Sequence, residues 1–150
     1  MFDIDIKDVI SLTPYKELHD GKESIRDHVK EGYTVPDKVI EYLKITKPFM
    51  MSFGVYEHPF KPGVRLLGPY WFTDGKYYWD RDTWKYVVKY GLVLPDDFIN
   101  HVMSEEGTAF LRKCKAENES WSNVIKEWKE QPNSLCLIPD NIGDKELKDF

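Results

Sequence analysis

The sequence has 150 residues, of which 41% are hydrophobic and 31% are charged, a composition typical of a globular protein rather than a disordered chain. This length favours one domain, residues 1–150. No block of the chain is basic enough to predict nucleic-acid binding. No apolar run approaches the roughly 18 residues that a membrane span needs. The acidic N-terminus lacks a signal-peptide pattern, so we expect a cytoplasmic protein.

The net charge of −5 is unevenly distributed. Residues 91–150 carry 12 acidic and 7 basic side chains, which accounts for the excess negative charge. An acidic region of this kind favours a basic partner, mainly by steering the encounter between the two molecules.

The first predicted elements are a short strand and two similar corners. Alternation of Phe2, Ile4 and Ile6 predicts the strand, and Thr13-Pro14 predicts the start of a first helix. Residues 24–44 align with residues 83–103 at a constant offset of 59. In each segment the pattern predicts a helix that stops at Gly and a second helix that starts at Pro-Asp. Either a true internal repeat or two independent corners of similar type explains this pattern.

The middle of the chain predicts β structure. Apolar residues alternate in 48–60, which indicates one strand. In 65–80, Asp74-Gly75 lies between two aromatic runs and predicts a hairpin. The fold class is therefore α+β: a small antiparallel meander of about three strands packed with several short helices. Further on, the pattern predicts a helix at 119–130 and a short strand at 134–139.

The hairpin contains seven aromatic side chains in GPYWFTDGKYYWDRDTW, residues 68–84. A two-residue turn at Asp74-Gly75 pairs Trp71 with Tyr78, and directly opposed residues share a face. One face then carries four aromatic residues that we assign to the core, namely Tyr70, Phe72, Tyr77 and Trp79. Trp71 and Tyr78 lie on the other face. They face solvent if helices cover one side of the sheet, and they belong to the core if helices cover both sides.

Catalytic and metal motifs are absent from the sequence. No two of the four histidines have i, i+4 spacing, and Cys114 and Cys136 form no CxxC pair. There is no nucleophile elbow, zinc-protease motif or phosphate-binding loop. We therefore predict no catalytic residue, no metal site and no cofactor, and we interpret the cysteines as buried or incidental thiols.

Acidic residues near helix ends divide into two groups. Asp82 or Thr83 is placed to cap the helix that begins near Trp84, and Asp96-Asp97 suits the positive end of a helix dipole. Glu105 and Glu106 follow the predicted end of that helix and have no such local reason. They are therefore the predicted electrostatic contacts for a partner, although a solvated helix end also explains them.

The run GPYWFTDGKYYWDRDTWKYVVKYGLVLPDDFINHV, residues 68–102, resembles small bacterial proteins that include immunity proteins of polymorphic, contact-dependent toxin systems. The resemblance implies a cytoplasmic, non-enzymatic protein that neutralises a toxin domain by occluding it, and the acidic residues 91–150 favour a basic toxin domain. Under this reading Trp71 and Tyr78 are the aromatic anchors, and Glu105 and Glu106 steer the toxin.

Two other function classes fit the same sequence. One is a small-molecule-binding or enzymatic domain that uses the aromatic cluster as a pocket wall, with a His or Asp as polar handle. The other is a plain structural or adaptor module. A stoichiometric complex with the product of the gene just upstream separates the immunity hypothesis from the enzymatic one.

Overall fold

The computed structural model describes residues 8–44, 48–51, 54–129 and 147–150. Its main element is a four-stranded sheet in the order β1-β6-β5-β2. The strands are β1 (Ile10–Ser11), β2 (Pro48–Met51), β5 (Tyr70–Thr73) and β6 (Tyr77–Asp80). A separate two-stranded sheet pairs β3 (Val55–Glu57) with β4 (Arg65–Leu67).

The helices follow and surround these strands. Two short 3₁₀ turns, Lys16–Leu18 and Ile25–His28, precede α1 (Asp37–Leu43). Helix α2 begins as Thr83–Lys85 and continues as a π-helical turn, Tyr86–Tyr90. Helix α3 is Asp96–Met103, and the long helix α4 is Glu105–Lys129. The fold class is α+β, as the sequence predicts.

The main sheet contains three antiparallel strands, as predicted, but the strands differ from the predicted ones in their bounds and partners. Strands β2, β5 and β6 are antiparallel neighbours, whereas β1 pairs with β6 in parallel. The strand predicted at 48–60 is two strands, because β2 joins the main sheet and β3 joins the small one. The strands predicted at Phe2–Ile6 and at 134–139, and Cys136, lie outside the described residues. Cys114 is buried in α4.

The hairpin turn is longer than the predicted one. Thr73 pairs with Tyr78 and Phe72 pairs with Trp79, so four residues, not two, separate the paired ends. The Asp74 carboxylate accepts hydrogen bonds from the backbone N–H groups of Lys76 (2.8 Å) and Tyr77 (2.7 Å), which closes the loop. A register change of two positions leaves every side chain on its predicted face, because side chains alternate with a period of two.

The two corners with similar sequences contact each other directly. Val29 and Leu92 form an antiparallel bridge, and the Lys30 N–H donates to the Gly91 carbonyl at 2.9 Å. Gly32 and Gly91 both have left-handed backbone conformations. The first corner differs from prediction, because its 3₁₀ turn ends at His28 and Gly32 follows later. In the second corner Gly91 does end the helix.

A single cluster of buried side chains extends from Val9 to Phe150. Trp79 is its largest fully buried member, and its indole N–H donates to the Leu43 carbonyl at 3.0 Å. Tyr42 and Phe98 contact the Trp79 ring from α1 and α3. The core thus lies between this face of the hairpin and helices α1 and α3; Phe72, Tyr77 and Trp79 belong to it as predicted, whereas Tyr70 is half-buried and lies outside the buried cluster.

Candidate functional site

Trp71 and Tyr78, the predicted aromatic anchors, are buried. Each is 7% exposed, and their rings form an edge-to-face pair with centroids 5.5 Å apart. The Tyr78 hydroxyl donates to the two carboxylate oxygens of Asp20, at 2.9 and 3.0 Å. Ser11 donates to the same carboxylate. Both sides of the hairpin are therefore covered, and neither aromatic ring offers the accessible area of a solvent-facing anchor.

Glu105 and Glu106 are exposed, and they form the first turn of α4. The prediction that they lack a local structural reason is wrong, since acidic residues in a first turn interact favourably with the helix dipole. The separation between α3 and α4 is one residue, Ser104, whose hydroxyl accepts from the Gly107 N–H at 3.2 Å. A Cβ on Gly107 would lie 2.3 Å from the His101 carbonyl, so this tight corner requires glycine.

The corner between α3 and α4 forms a shallow groove of about 320 Å³. Its lining residues are Met103, Glu105, Thr108, Ala109 and Arg112. Four of these lie at i, i+3, i+4 and i+7 along α4 and so share one helix face. The Met103 side chain, at the end of α3, is 49% exposed. We call these five residues the corner groove.

Exposed carboxylates lie at both ends of α3. Asp96 and Asp97 form its first turn, as predicted, and Glu105 and Glu106 begin the next helix. All four residues are exposed. The corner groove thus combines an accessible, flexible apolar side chain, Met103, with one lining carboxylate, Glu105, and one lining cation, Arg112. Sequence reasoning missed Met103, although its i, i+4, i+7 spacing from Asp96 and Asn100 marks an apolar residue on the polar face of α3.

A second cluster of functional interest is buried at the end of β6. Asp80 and Asp82 are each 1% exposed, and the Asp80 carboxylate accepts from the Asp82 N–H at 2.9 Å. Lys85 Nζ lies 3.2 Å from Asp82 Oδ1. The predicted side-chain cap is absent at Asp82, whose carbonyl accepts the first helical N–H groups of α2 instead. The Thr83 hydroxyl donates to the Asp80 carbonyl at 2.6 Å.

The surroundings of Asp80 favour its neutral form. Burial, followed by the nearby negative charge of Asp82, raises the pKa of Asp80 to about 8. Above this pair, the hydroxyls of Tyr56 and Tyr86 lie 3.3 Å apart. Burial raises the pKa of both tyrosines well above 10, and the charges of Asp80 and Asp82 act in the same direction. Burial thus favours a protonated Asp80 carboxyl group, which is able to donate a hydrogen bond.

Within the described ranges, no group of three His, Cys, Asp or Glu side chains is arranged to hold a metal ion. Among the helices that the structure describes, none combines the length and hydropathy that crossing a lipid bilayer demands. Comparison with protein-family models, with characterised proteins and with solved structures gave no match. The structure itself gives the class of protein: a small α+β protein with a four-stranded mixed sheet.

Proposed function

We propose that this chain is a protein-binding module of the bacterial cytoplasm that neutralises a basic toxin domain by occluding it. The corner groove supports the protein-binding part of this proposal. The toxin part rests on the resemblance of residues 68–102 to immunity proteins. The mechanism requires no catalytic residue, because a bound partner that cannot reach its substrate is inactive.

The observation that carries the proposal is the exposure of Met103 beside Glu105 in the corner groove. A half-exposed methionine at the end of a helix gives a partner an apolar contact that adapts its shape, because the thioether chain is unbranched and flexible. Interfaces place such apolar anchors at the centre and polar residues at the rim. This arrangement replaces the predicted anchors Trp71 and Tyr78, which are buried.

Exposed carboxylates at the two ends of α3 bear on which partner the protein suits. Asp96, Asp97, Glu105 and Glu106 are exposed and carry the same sign, so they attract a basic partner and repel an acidic one. Exposed charges of this kind mainly raise the association rate and make it depend on salt. Arg112 lines the groove as well and gives a partner carboxylate one complementary contact.

The proposal is tested by co-expressing the chain with the product of the adjacent upstream gene. We expect protection from that product's toxicity and a stoichiometric complex that survives purification. The double variant Glu105→Lys/Glu106→Lys should slow association at least tenfold at low salt, and Met103→Ala should weaken binding by roughly tenfold.

The matched control is Glu31→Lys, which reverses an exposed charge outside α3 and α4. It should leave binding nearly unchanged. A non-toxic neighbour with no retained partner would overturn the proposed function. Equal effects of the control and the corner variants would overturn the assignment of the surface.

One observation favours the second candidate, a small-molecule-binding or enzymatic domain. Asp80, with a pKa near the working pH, lies with Lys85 and two tyrosine hydroxyls in one buried cluster, and such perturbed groups are common in active sites. Quenching of tryptophan fluorescence across a metabolite panel tests this candidate. A ligand whose effect disappears in Asp80→Asn would support it, and no response to any compound would count against it.

A further inference from the structure

Residues Leu147–Phe150 form a turn that docks onto α2 and onto the loop after β3. The Phe150 side chain is fully buried, and its ring centroid lies 4.4 Å from that of His58 and 5.1 Å from that of Tyr86. Tyr90 packs at 6.3 Å, and Lys85 Nζ lies 5.0 Å from the Phe150 ring centroid. We call the residues that surround this ring, His58, Lys85, Tyr86 and Tyr90, the Phe150 pocket.

The backbone of the same turn is held by donors from the rest of the protein. Lys89 Nζ donates to the carbonyls of Leu147 (3.2 Å) and Lys148 (3.0 Å). Lys61 Nζ donates to the Asp149 carbonyl at 2.8 Å, and the Tyr90 hydroxyl donates to the Phe150 carbonyl at 2.7 Å. All four carbonyl groups of the turn thus accept a hydrogen bond from a side chain of the body.

These contacts specify a ligand by its chemistry. Every peptide has backbone carbonyls, so the donors Lys61, Lys89 and Tyr90 recognise the course of the backbone and do not discriminate between sequences. The ring pocket selects an aromatic side chain. The lysine contacts are exposed to solvent, where hydrogen bonds contribute little net free energy, so burial of the ring provides most of the attachment.

His58 forms one wall of the Phe150 pocket. Its side chain is 1% exposed, and Nδ1 accepts from the Phe60 N–H at 3.0 Å. The neutral ring then carries its proton on Nε2. Burial lowers the pKa of His58 to about 4, Lys61 and Lys89 act in the same direction, and a hydrogen bond to the Phe150 backbone opposes them, so the ring is neutral at pH 7.

His58 also borders a second groove of about 270 Å³, together with Arg26 and Glu57. The imidazole therefore lies beside both the Phe150 ring and this surface groove.

We propose that the Phe150 pocket is a peptide-recognition site for an aromatic side chain carried on a turn. Leu147–Phe150 occupies the site in cis, and the same segment of a second copy of this chain binds it in trans when the cis segment leaves. The inference is independent of the corner groove, because it concerns other residues on another part of the molecule.

The test uses the full-length Phe150→Ala variant and a labelled peptide with the sequence of residues 145–150, KELKDF. Fluorescence anisotropy should show saturable binding that is at least tenfold tighter than for KELKDA. Wild-type protein should bind at least tenfold more weakly than the variant, because the cis segment competes at an effective concentration of about millimolar. Adding Lys89→Ala to the variant should weaken binding several-fold, whereas Lys113→Ala, an exposed lysine of α4, should not.

Two further arms keep the outcome decisive. If Phe150→Ala does not fold, Phe150→Leu replaces it, because leucine retains an apolar side chain. The second arm is a titration of the wild-type protein with peptide at millimolar concentration, which needs no variant. Equal binding of KELKDF and KELKDA to folded protein would overturn the proposal. Binding of 3-phenylpropionate without binding of the peptide would also overturn it, and would identify a site for free aromatic acids instead.

Discussion

The phenolic oxygen of Tyr42 in α1 lies 2.6 Å from the carboxylate of Asp74 in the β5–β6 turn. The same carboxylate lies 3.2 Å from His101 Nε2 in α3, and the Asp74 side chain is only 1% exposed. A single turn residue therefore closes its own loop and connects the hairpin to two helices.

Replacing Tyr42 by Phe should destabilise the protein by about 1–3 kcal/mol, because the buried Asp74 carboxylate loses a hydrogen-bond donor. Urea denaturation followed by tryptophan fluorescence measures the change in the free energy of unfolding. Tyr70→Phe is the control: Tyr70 lies in the same hairpin, and its ring contacts Arg81 while no hydrogen bond of its hydroxyl is described. Equal destabilisation by both changes would show that the Tyr42–Asp74 bond contributes nothing specific.

Through Asp80, stability should fall as pH rises from about 4 to about 8, whereas His58, whose pKa burial lowers from 6.5 to about 4, should raise stability between about pH 4 and pH 6.5. The pKa of the Asp80 carboxyl is raised from 3.8 to about 8 by folding, so in that interval this group binds more protons in the folded state than in the unfolded state. The contribution of Asp80 to stability then decreases with pH, because this carboxyl loses its proton at a lower pH in the unfolded chain than in the folded protein. Below about pH 4 the penalty is absent, and above about pH 8 it is complete.

Asp80→Asn should reduce this slope, because an amide is neutral at every pH and retains the oxygen that accepts from the Asp82 N–H. Urea midpoints of both proteins between pH 5 and pH 8.5 provide the comparison. Asp27→Asn, a change at an exposed carboxylate, should keep the wild-type slope. Parallel curves for Asp80→Asn and wild type would contradict the role assigned to Asp80.

Gly91→Ala should be far more destabilising than Gly32→Ala. Both residues have positive φ, 74° and 78°, which costs an alanine roughly 1–2 kcal/mol. A Cβ on Gly91 would lie 2.1 Å from the Lys30 carbonyl, whereas a Cβ on Gly32 has nothing within 4 Å. We expect about 3 kcal/mol or more at Gly91 and about 1 kcal/mol at Gly32. Similar losses of melting temperature would mean that the two corners separate easily.

Trp71→Ala should lower the melting temperature by several degrees, because it empties a buried site and costs about 3–5 kcal/mol. Met103→Ala should change stability by less than about 1 kcal/mol, since that side chain is half exposed. Differential scanning calorimetry of the two variants checks this order. The opposite order would restore Trp71 as a surface anchor.

Local sequence predicts which face of the hairpin each side chain occupies, because the face depends only on whether a residue holds an odd or an even position along its strand. Asp74-Gly75 fixed the position of the turn, and an error of two positions in register did not move any side chain to the other face. Local sequence also predicts where α1 and α3 begin, since Pro36 and Pro95 directly precede their first residues. Patterns within ten residues were sufficient for these elements.

The features that the sequence did not predict depend on distant contacts. Tyr78 is buried against Asp20, 58 residues earlier in the chain, and no local pattern reports that pairing. The position of Glu105 in the first turn of a helix is not predicted, because only one residue, Ser104, separates α3 from α4 and no sequence pattern marks the start of α4. The turn Leu147–Phe150 contacts residues 58–61 and 85–90, and neither the aromatic content nor the spacing of these segments predicts that they lie together.

The parallel pairing of β1 with β6 has a consequence for the order of folding. The hairpin closes across a few residues, whereas Ile10 reaches Tyr77 only after a loop of more than sixty residues has closed, at a larger entropic cost. We expect β1 to attach last, with the hairpin edge already in place as its template. In pulse-labelled hydrogen exchange, the Leu12 amide, which donates to the Tyr78 carbonyl, should then gain protection after the amides of the hairpin. Simultaneous protection would instead mean that the N-terminal segment helps to nucleate the sheet.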